Sequence, residues 1–231
     1  MRSAELALRT AMACAMAALI GGCATVNELK DKVMPASAAA APAAGSASAL
    51  AAARPVAVVN DTPLAPGVQR AFDDAARAQR AGKTADAERG YRALAQSNPE
   101  LGGPHANLGV MLRQAGKLTE SAAELEQAVK LNPNQPIYLN QLGITYRQLG
   151  QFDKARGAYE RAIAANGEYA AAVLNLGILN DLYLGDAKRA AELYERYLAL
   201  SPGGDAAVTK WVAELKNRKP AQVAGTRKEK S

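Results

Sequence analysis

Four segments of this chain run in register at a spacing of 34 residues. Leu108-Gly109, Leu142-Gly143 and Leu176-Gly177 each follow the previous pair by 34 positions. Gly82, Gly116 and Gly150 keep the same spacing, and Gly185 comes 35 after Gly150. Pro99 and Pro133 are also 34 apart, Gly167 takes the next slot, and Pro202 closes the series. Tyr91, Leu125, Tyr159 and Tyr194 form a further column, as do Ala87, Ser121, Ala155 and Ala190. Self-similarity at such a period marks stacked repeat units, each too small to bury an apolar face alone. The chain of 231 residues thus divides into a repeat array at 66–218 and appendages on either side.

The third unit, Leu139-x-x-Leu142-Gly143-x-x-Tyr146…Gly150…Ala155-x-x-x-Tyr159-x-x-Ala162, resembles the tetratricopeptide repeat family. The resemblance covers about two-thirds of the chain. It implies an all-α, right-handed superhelical solenoid of about four helix-turn-helix repeats plus a C-terminal capping helix. The units fall near 68–101, 102–135, 136–169 and 170–204, with the cap at 205–217. In each, two antiparallel helices cross closely at the small-residue columns, while the Leu and Tyr columns fill the space around the crossing. Gly116 and Gly150 suit the turn within a repeat; Pro99, Pro133 and Pro202 end its second helix. The first pair is predicted at about 68–81 and 84–97. Gly203-Gly204-Asp205 reads as a turn and N-cap for the last helix, with Val208, Trp211, Val212 and Leu215 on one face. Two departures stand out. Asp74-Ala75 replaces the Leu-Gly pair in the first unit, and eight residues rather than seven separate Gly177 from Gly185, so the turn in Asn180–Leu184 should bulge or lengthen.

The N-terminus is predicted to be an address. Arg2 and Arg9 flank a short charged start, Thr10–Ile20 is apolar apart from Thr10, and Gly21-Gly22-Cys23 follows. This is the composition of a secretory signal peptide, residues 1–22, too short to span a bilayer as a mature helix. Leu19-Ile20-Gly21-Gly22-Cys23 resembles a bacterial lipobox, which implies cleavage before Cys23, a lipid on its sulfur and acylation of the new N-terminus. Two or more acyl chains anchor stably where one is marginal. Ala24, rather than Asp, stands after the Cys; in lipoproteins with this signal that favours the outer membrane, facing the periplasm. Residues 23–65 then read as a disordered tether: twelve of the eighteen residues from Ala36 to Ala53 are alanine, broken by Pro35, Pro42, Pro55 and Pro63. As a flexible coil it reaches roughly 35 Å.

Function is expected on the first helices, which the family resemblance implies line a concave groove for an extended or helical peptide. Asn107, Gln141 and Asn175 recur every 34 residues, so their amides would form a row able to hydrogen-bond a peptide backbone. Arg113-Gln114 and Arg147-Gln148 add two stacked guanidinium groups suited to a carboxylate on the ligand. Apolar Val110, Ile144 and Ile178 sit between them.

Little other chemistry is on offer. One His and two Cys leave no room for a multi-ligand zinc site. No phosphate loop, nucleophile elbow or metal spacing appears, so no cofactor, metal or small-molecule substrate is expected. His105 falls at a packing position, and Glu124 and Glu126 read as surface carboxylates. The region 66–215 carries seventeen basic and seventeen acidic residues, so the formal charge of +6 belongs mainly to Lys216, Arg218 and the basic tail at 219–231, expected to be disordered. The high pI is thus mainly a property of the tail and does not argue for a nucleic-acid-binding domain, and no nucleic-acid partner is expected. The expected function is therefore non-enzymatic: a lipid-anchored scaffold that binds a segment of another envelope protein. In this it resembles the pilotin-type lipoproteins of type IV and Tad pilus assembly, and also the adaptor lipoproteins that gather peptidoglycan hydrolases. Regulation of a wall synthase or hydrolase is the alternative.

Overall fold

The computed structural model describes residues 64–217. The predicted signal peptide, Cys23, most of the tether and the tail at 219–231 lie outside them. Among the described residues the chain forms nine α-helices and no strand: α1 Pro66–Arg80, α2 Thr84–Ser97, α3 Gly102–Gln114, α4 Leu118–Leu131, α5 Pro136–Gln148, α6 Phe152–Ala165, α7 Ala170–Leu179, α8 Ala187–Ala199 and α9 Ala206–Asn217. Consecutive helices pack as hairpins, α1 on α2 through α7 on α8, and each second helix also touches the first helix of the next pair. The all-α repeat architecture expected from the 34-residue register is the one observed.

The columns pack as their residue types require. A Cβ on Gly143 would lie 2.5 Å from the Tyr159 ring, and one on Gly177 would lie 2.7 Å from the Tyr194 ring. Only glycine allows the aromatic ring that closely. Tyr91, Tyr159 and Tyr194 are all fully buried, as is Leu125 in the same column. The first repeat reaches the same closeness differently. Ala75 stands in the glycine column there, and Gly90 on the facing helix accommodates it, since a Cβ on Gly90 would meet the Ala75 Cβ at 2.8 Å. The small residue has moved to the other side of the crossing.

Turns within the repeats are closed by glycine in the left-handed region, with φ of 77° at Gly116 and 74° at Gly150, where a side chain would strain the backbone. Second helices end one residue earlier than the prolines, at an Asn column that the sequence reading passed over: Asn98, Asn132 and Asn166 follow α2, α4 and α6 directly. Each bonds back through its amide N–H to the helix and accepts from the residue three positions on. Asp205 caps α9 as predicted, its Oδ1 accepting from the amides of Ala207 at 3.0 Å and Val208 at 3.1 Å. Val208, Val212 and Leu215 of α9 cover the last pair, together with half-buried Trp211, whose ring centroid is 5.5 Å from that of Tyr194.

The extra residue of the fourth repeat is absorbed as a π-helical turn, Asn180–Leu184, continuing α7. Gly185, at φ 71°, then closes the turn, and the Asp186 amide donates to the Asn180 carbonyl at 3.0 Å. Such single π turns are the usual way a helix accommodates one inserted residue.

Candidate functional site

The first helices α3, α5 and α7 lie side by side, α3 touching α5 and α5 touching α7. Each predicted ligand residue is on one of them, but most are engaged in holding the helices together. Asn107 is fully buried and its Nδ2 donates to the Gly103 carbonyl one turn earlier at 2.9 Å. Asn175 Nδ2 donates to Asn140 Oδ1 at 3.0 Å, joining α7 to α5. Gln141 accepts twice from Arg113, at 3.0 Å on its carbonyl and 2.6 Å on its Oε1. Val110, Ile144 and Ile178 belong to three buried apolar clusters. Gln114 and Gln148 are the exposed members of the predicted set. Of the three amides expected in a row, Gln141 and Asn175 make interhelical ties and Asn107 bonds within its own helix. At a 34-residue period a column can face a neighbouring repeat as well as a ligand, and spacing alone does not separate the two.

Arg113 anchors the densest of these ties. Besides Gln141, its Nη1 reaches Thr145 Oγ1 at 3.3 Å. Thr145 Oγ1 in turn donates to the Gln141 carbonyl at 3.2 Å and lies 3.1 Å from Ser121 Oγ on α4. Three helices are therefore joined by one buried polar cluster, in which every member has a partner, as a stable buried network needs. Burial lowers the Arg113 guanidinium to about 10; Tyr159 opposes that shift, and the nearby charge of Arg147 adds to it. Arg113 remains a cation at neutral pH.

Arg147, the next guanidinium in the column, has a different environment. It is 8% exposed, its Nε has no hydrogen-bond partner, and its guanidinium carbon lies 5.8 Å from the centre of the Tyr183 ring. Tyr183 comes from the π turn and its ring centroid is 4.9 Å from that of Phe152 at the start of α6. The buried Tyr159 hydroxyl is raised to about 12 by burial, against the lowering effect of Arg147 and Arg113. Two arginines and two tyrosines thus meet where α3, α5, α6 and the π turn converge. From the sequence Tyr159 is a packing residue of its column, and Tyr183 carries no signal because it lies in the turn that holds the inserted residue.

Two other expectations are revised. His105 Nδ1 lies 2.7 Å from Glu124 Oε2, a link between α3 and α4, and Glu126 Oε1 accepts from the Tyr146 hydroxyl at 2.7 Å. Both carboxylates are therefore interhelical partners as well; Glu126 is exposed, as the sequence placed it, while Glu124 is half-buried. Among the described residues no group of three or more His, Cys, Asp or Glu side chains converges as a metal site, and no described helix is long and apolar enough to cross a membrane.

Two family models described as tetratricopeptide repeat match the chain, at residues 104–168 and 140–205. Residues 104–205 are tetratricopeptide repeats. The solved structures agree on the fold. MamA of Desulfovibrio magneticus RS-1 is 18% identical, with a TM-score of 0.58 over 67% of this chain and 86% of that one. PilF of Pseudomonas aeruginosa is 21% identical, with a TM-score of 0.58 over 64% and 69%. A tetratricopeptide repeat protein of Parabacteroides merdae is 21% identical, with a TM-score of 0.57 over 66% and 60%. Identities this low carry the fold and nothing further. No curated protein matches the chain. Tetratricopeptide repeats are protein-interaction modules.

Proposed function

We propose that the protein is a non-enzymatic adaptor of the bacterial envelope, held at the outer membrane by a lipid on Cys23, that binds a segment of another envelope protein along its first helices. One observation carries this reading: an interaction-module array occupies 104–205, behind a leader that ends in a lipobox-like Gly21-Gly22-Cys23. The lipid supplies attachment, the Ala/Pro-rich tether supplies reach, and the array supplies recognition. Confinement to the membrane surface and a tether of a few tens of ångströms raise the effective concentration of the array near partners in the same membrane. Stacked hairpins fixed by buried ties such as Arg113–Gln141 form a rigid surface, which limits the entropy lost on binding.

Assembly of a pilus or secretion system is the process this combination of leader and repeats fits best. The test is capture of the lipidated protein from crosslinked membranes, followed by mass spectrometry. Pilus or secretin components in the captured set support the assembly reading. Peptidoglycan synthases or hydrolases there replace it with regulation of wall growth, and an absence of any envelope protein refutes the adaptor reading as a whole.

A further inference from the structure

The π turn presents an apolar surface with an acidic rim. Its Leu182 and Tyr183 are the exposed large apolar side chains among the described residues, at 38% and 44%. Tyr183 leans on half-buried Phe152 of α6, so this surface runs from the π turn onto the turn of the third repeat. Asp181 and Asp186 border it on one side and Asp153 on the other, and neither 148–153 nor 180–186 holds a basic residue. The nearby cations are engaged elsewhere. Arg147 lies against the Tyr183 ring and is buried, Lys154 faces the Tyr146 ring, and Arg189 is paired with Glu192.

A segment of complementary chemistry leaves the array on the same edge. Helix α9 occupies the place of a first helix in a fifth repeat: Val173, Gly177 and Asp181 recur as Val208, Val212 and Lys216 at 35 residues, the spacing that includes the insertion. Val208, Val212 and Leu215 accordingly pack in one cluster with Leu174 and Ile178 of α7. First helices run in one direction along such an array, so α9 ends on the edge that carries the π turn. Tyr194 of α8 links the two, its ring centroid 5.5 Å from that of Trp211 and its hydroxyl 3.5 Å from Asp181 Oδ2. Lys216 is taken up by Glu195 at 2.6 Å. Residues 218–231 then follow, carrying Arg218, Lys219, Arg227, Lys228 and Lys230 against Glu229, with Pro220, Ala221, Val223 and Ala224 between them.

We propose that residues 218–231 fold back on the π turn of their own chain, setting basic side chains against Asp181, Asp186 and Asp153 and laying the apolar stretch around Val223 over Leu182 and Tyr183. Exposed ion pairs are individually weak and screened by salt. The covalent connection compensates, because a segment joined to its target by a few residues acts at an effective concentration of roughly millimolar, and a contact of millimolar affinity is then half occupied. A cover of this strength yields to a partner that binds the turn more tightly. It sets a threshold for access to the turn and does not close it. The inserted residue and the basic segment, two features that the repeats themselves do not require, thereby share one role.

The experiment is paramagnetic NMR of the full chain carrying Cys14→Ala and Cys23→Ala, with a nitroxide attached at Thr226→Cys and labelled leucine methyl groups. The Leu182 methyl signals should be broadened at low salt, and those of Leu94 on α2 should not. Replacing Asp181→Asn and Asp186→Asn together should reduce the Leu182 broadening about twofold, the effect of losing one or two exposed ion pairs. Asn keeps the oxygen with which Asp186 accepts from the Arg189 amide at 2.9 Å, so α8 retains its cap. High salt should act in the same direction, and tenfold dilution should change nothing. Broadening that is equal in the double variant and at high salt would overturn the proposal, since an undocked segment also passes near its point of attachment. Broadening that falls on dilution would overturn it too, by assigning the contact to a second copy of the chain. The contact lies within one chain, so its failure leaves the adaptor reading where it stood.

Discussion

Arg113 on α3 and Gln141 on α5 are joined twice, guanidinium to main-chain carbonyl at 3.0 Å and guanidinium to side-chain Oε1 at 2.6 Å. Both residues belong to columns that repeat every 34 positions and look from the sequence like ligand contacts. In the structure they set the spacing of adjacent repeats, with Thr145 and Ser121 completing the cluster.

Arg113→Ala is therefore expected to act on stability. It strips the donor from two Gln141 acceptors and from Thr145 in a buried setting, a loss of about 2–4 kcal/mol. Urea denaturation followed by circular dichroism checks this; a midpoint equal to that of the unaltered protein would show that the cluster contributes nothing. Replacing Asn107, Asn175, Arg113 and Arg147 together by Ala should for the same reason lower the midpoint further, so that any loss of ligand binding in that variant would reflect stability as well.

Gly143→Ala tests the close crossing in the third repeat. The new methyl group would be placed 2.5 Å from the Tyr159 ring, so helix or ring must move. A loss of about 1–3 kcal/mol is expected despite the higher helix propensity of alanine. Gly157→Ala, with nothing within 4 Å of the added Cβ, serves as the control and should be neutral or slightly stabilising. Equal effects at the two sites would contradict the packing account.

How much was visible beforehand follows from what repetition encodes. Hairpin order, the glycine turns and the cap at Asp205 were legible because each needs a particular residue type at a fixed register. The interhelical role of Asn175 and Gln141 was not, because a polar side chain that recurs every repeat satisfies either a ligand or the adjacent helix equally well. Gly90 carries no repeat signal, because it compensates Ala75 from the facing helix, outside the glycine column. Tyr183 was unreadable as a site residue for the opposite reason: the inserted residue takes it out of register, and only the π turn shows which side chains it joins.

Alkaline pH should loosen the array. Burial is the main cause that pushes Tyr91 and Tyr159 up from 10.0 to about 12 in the folded chain. A raised folded value means that the stability from the neutral phenol is fully present below pH 10 and is lost as the pH climbs through 12. Arg113, lowered to about 10, works against this over the same range, but two phenols outweigh one guanidinium. Chemical denaturation at intervals between pH 9 and 12 should show a falling midpoint; a flat or rising profile would contradict the burial of these tyrosines.

Removing Leu182 would restore the seven-residue spacing of the second and third repeats and abolish the π turn. The shortened chain should fold, since two of its own repeats already use that spacing, but Tyr183 would leave Phe152. Near-ultraviolet circular dichroism should then change while helicity stays constant. Collapse of helicity would mean that the turn is a structural necessity and not an addition.

Lipidation has its own check. Cys23→Ala should release the protein from membranes on fractionation, and tight retention of that variant would remove the anchor from the account.

The central claim, that this array holds a segment of another envelope protein along its first helices, is tested most directly by photo-crosslinking in living cells. A photoreactive residue is placed at exposed Gln148 or Leu182, and for comparison at half-buried Glu88 on α2 or exposed Lys130 on α4. The account predicts covalent adducts to a segment of one envelope protein from Gln148 and Leu182, and none from the second-helix positions. Adducts confined to Glu88 and Lys130, or no adduct at any of the four, would contradict it.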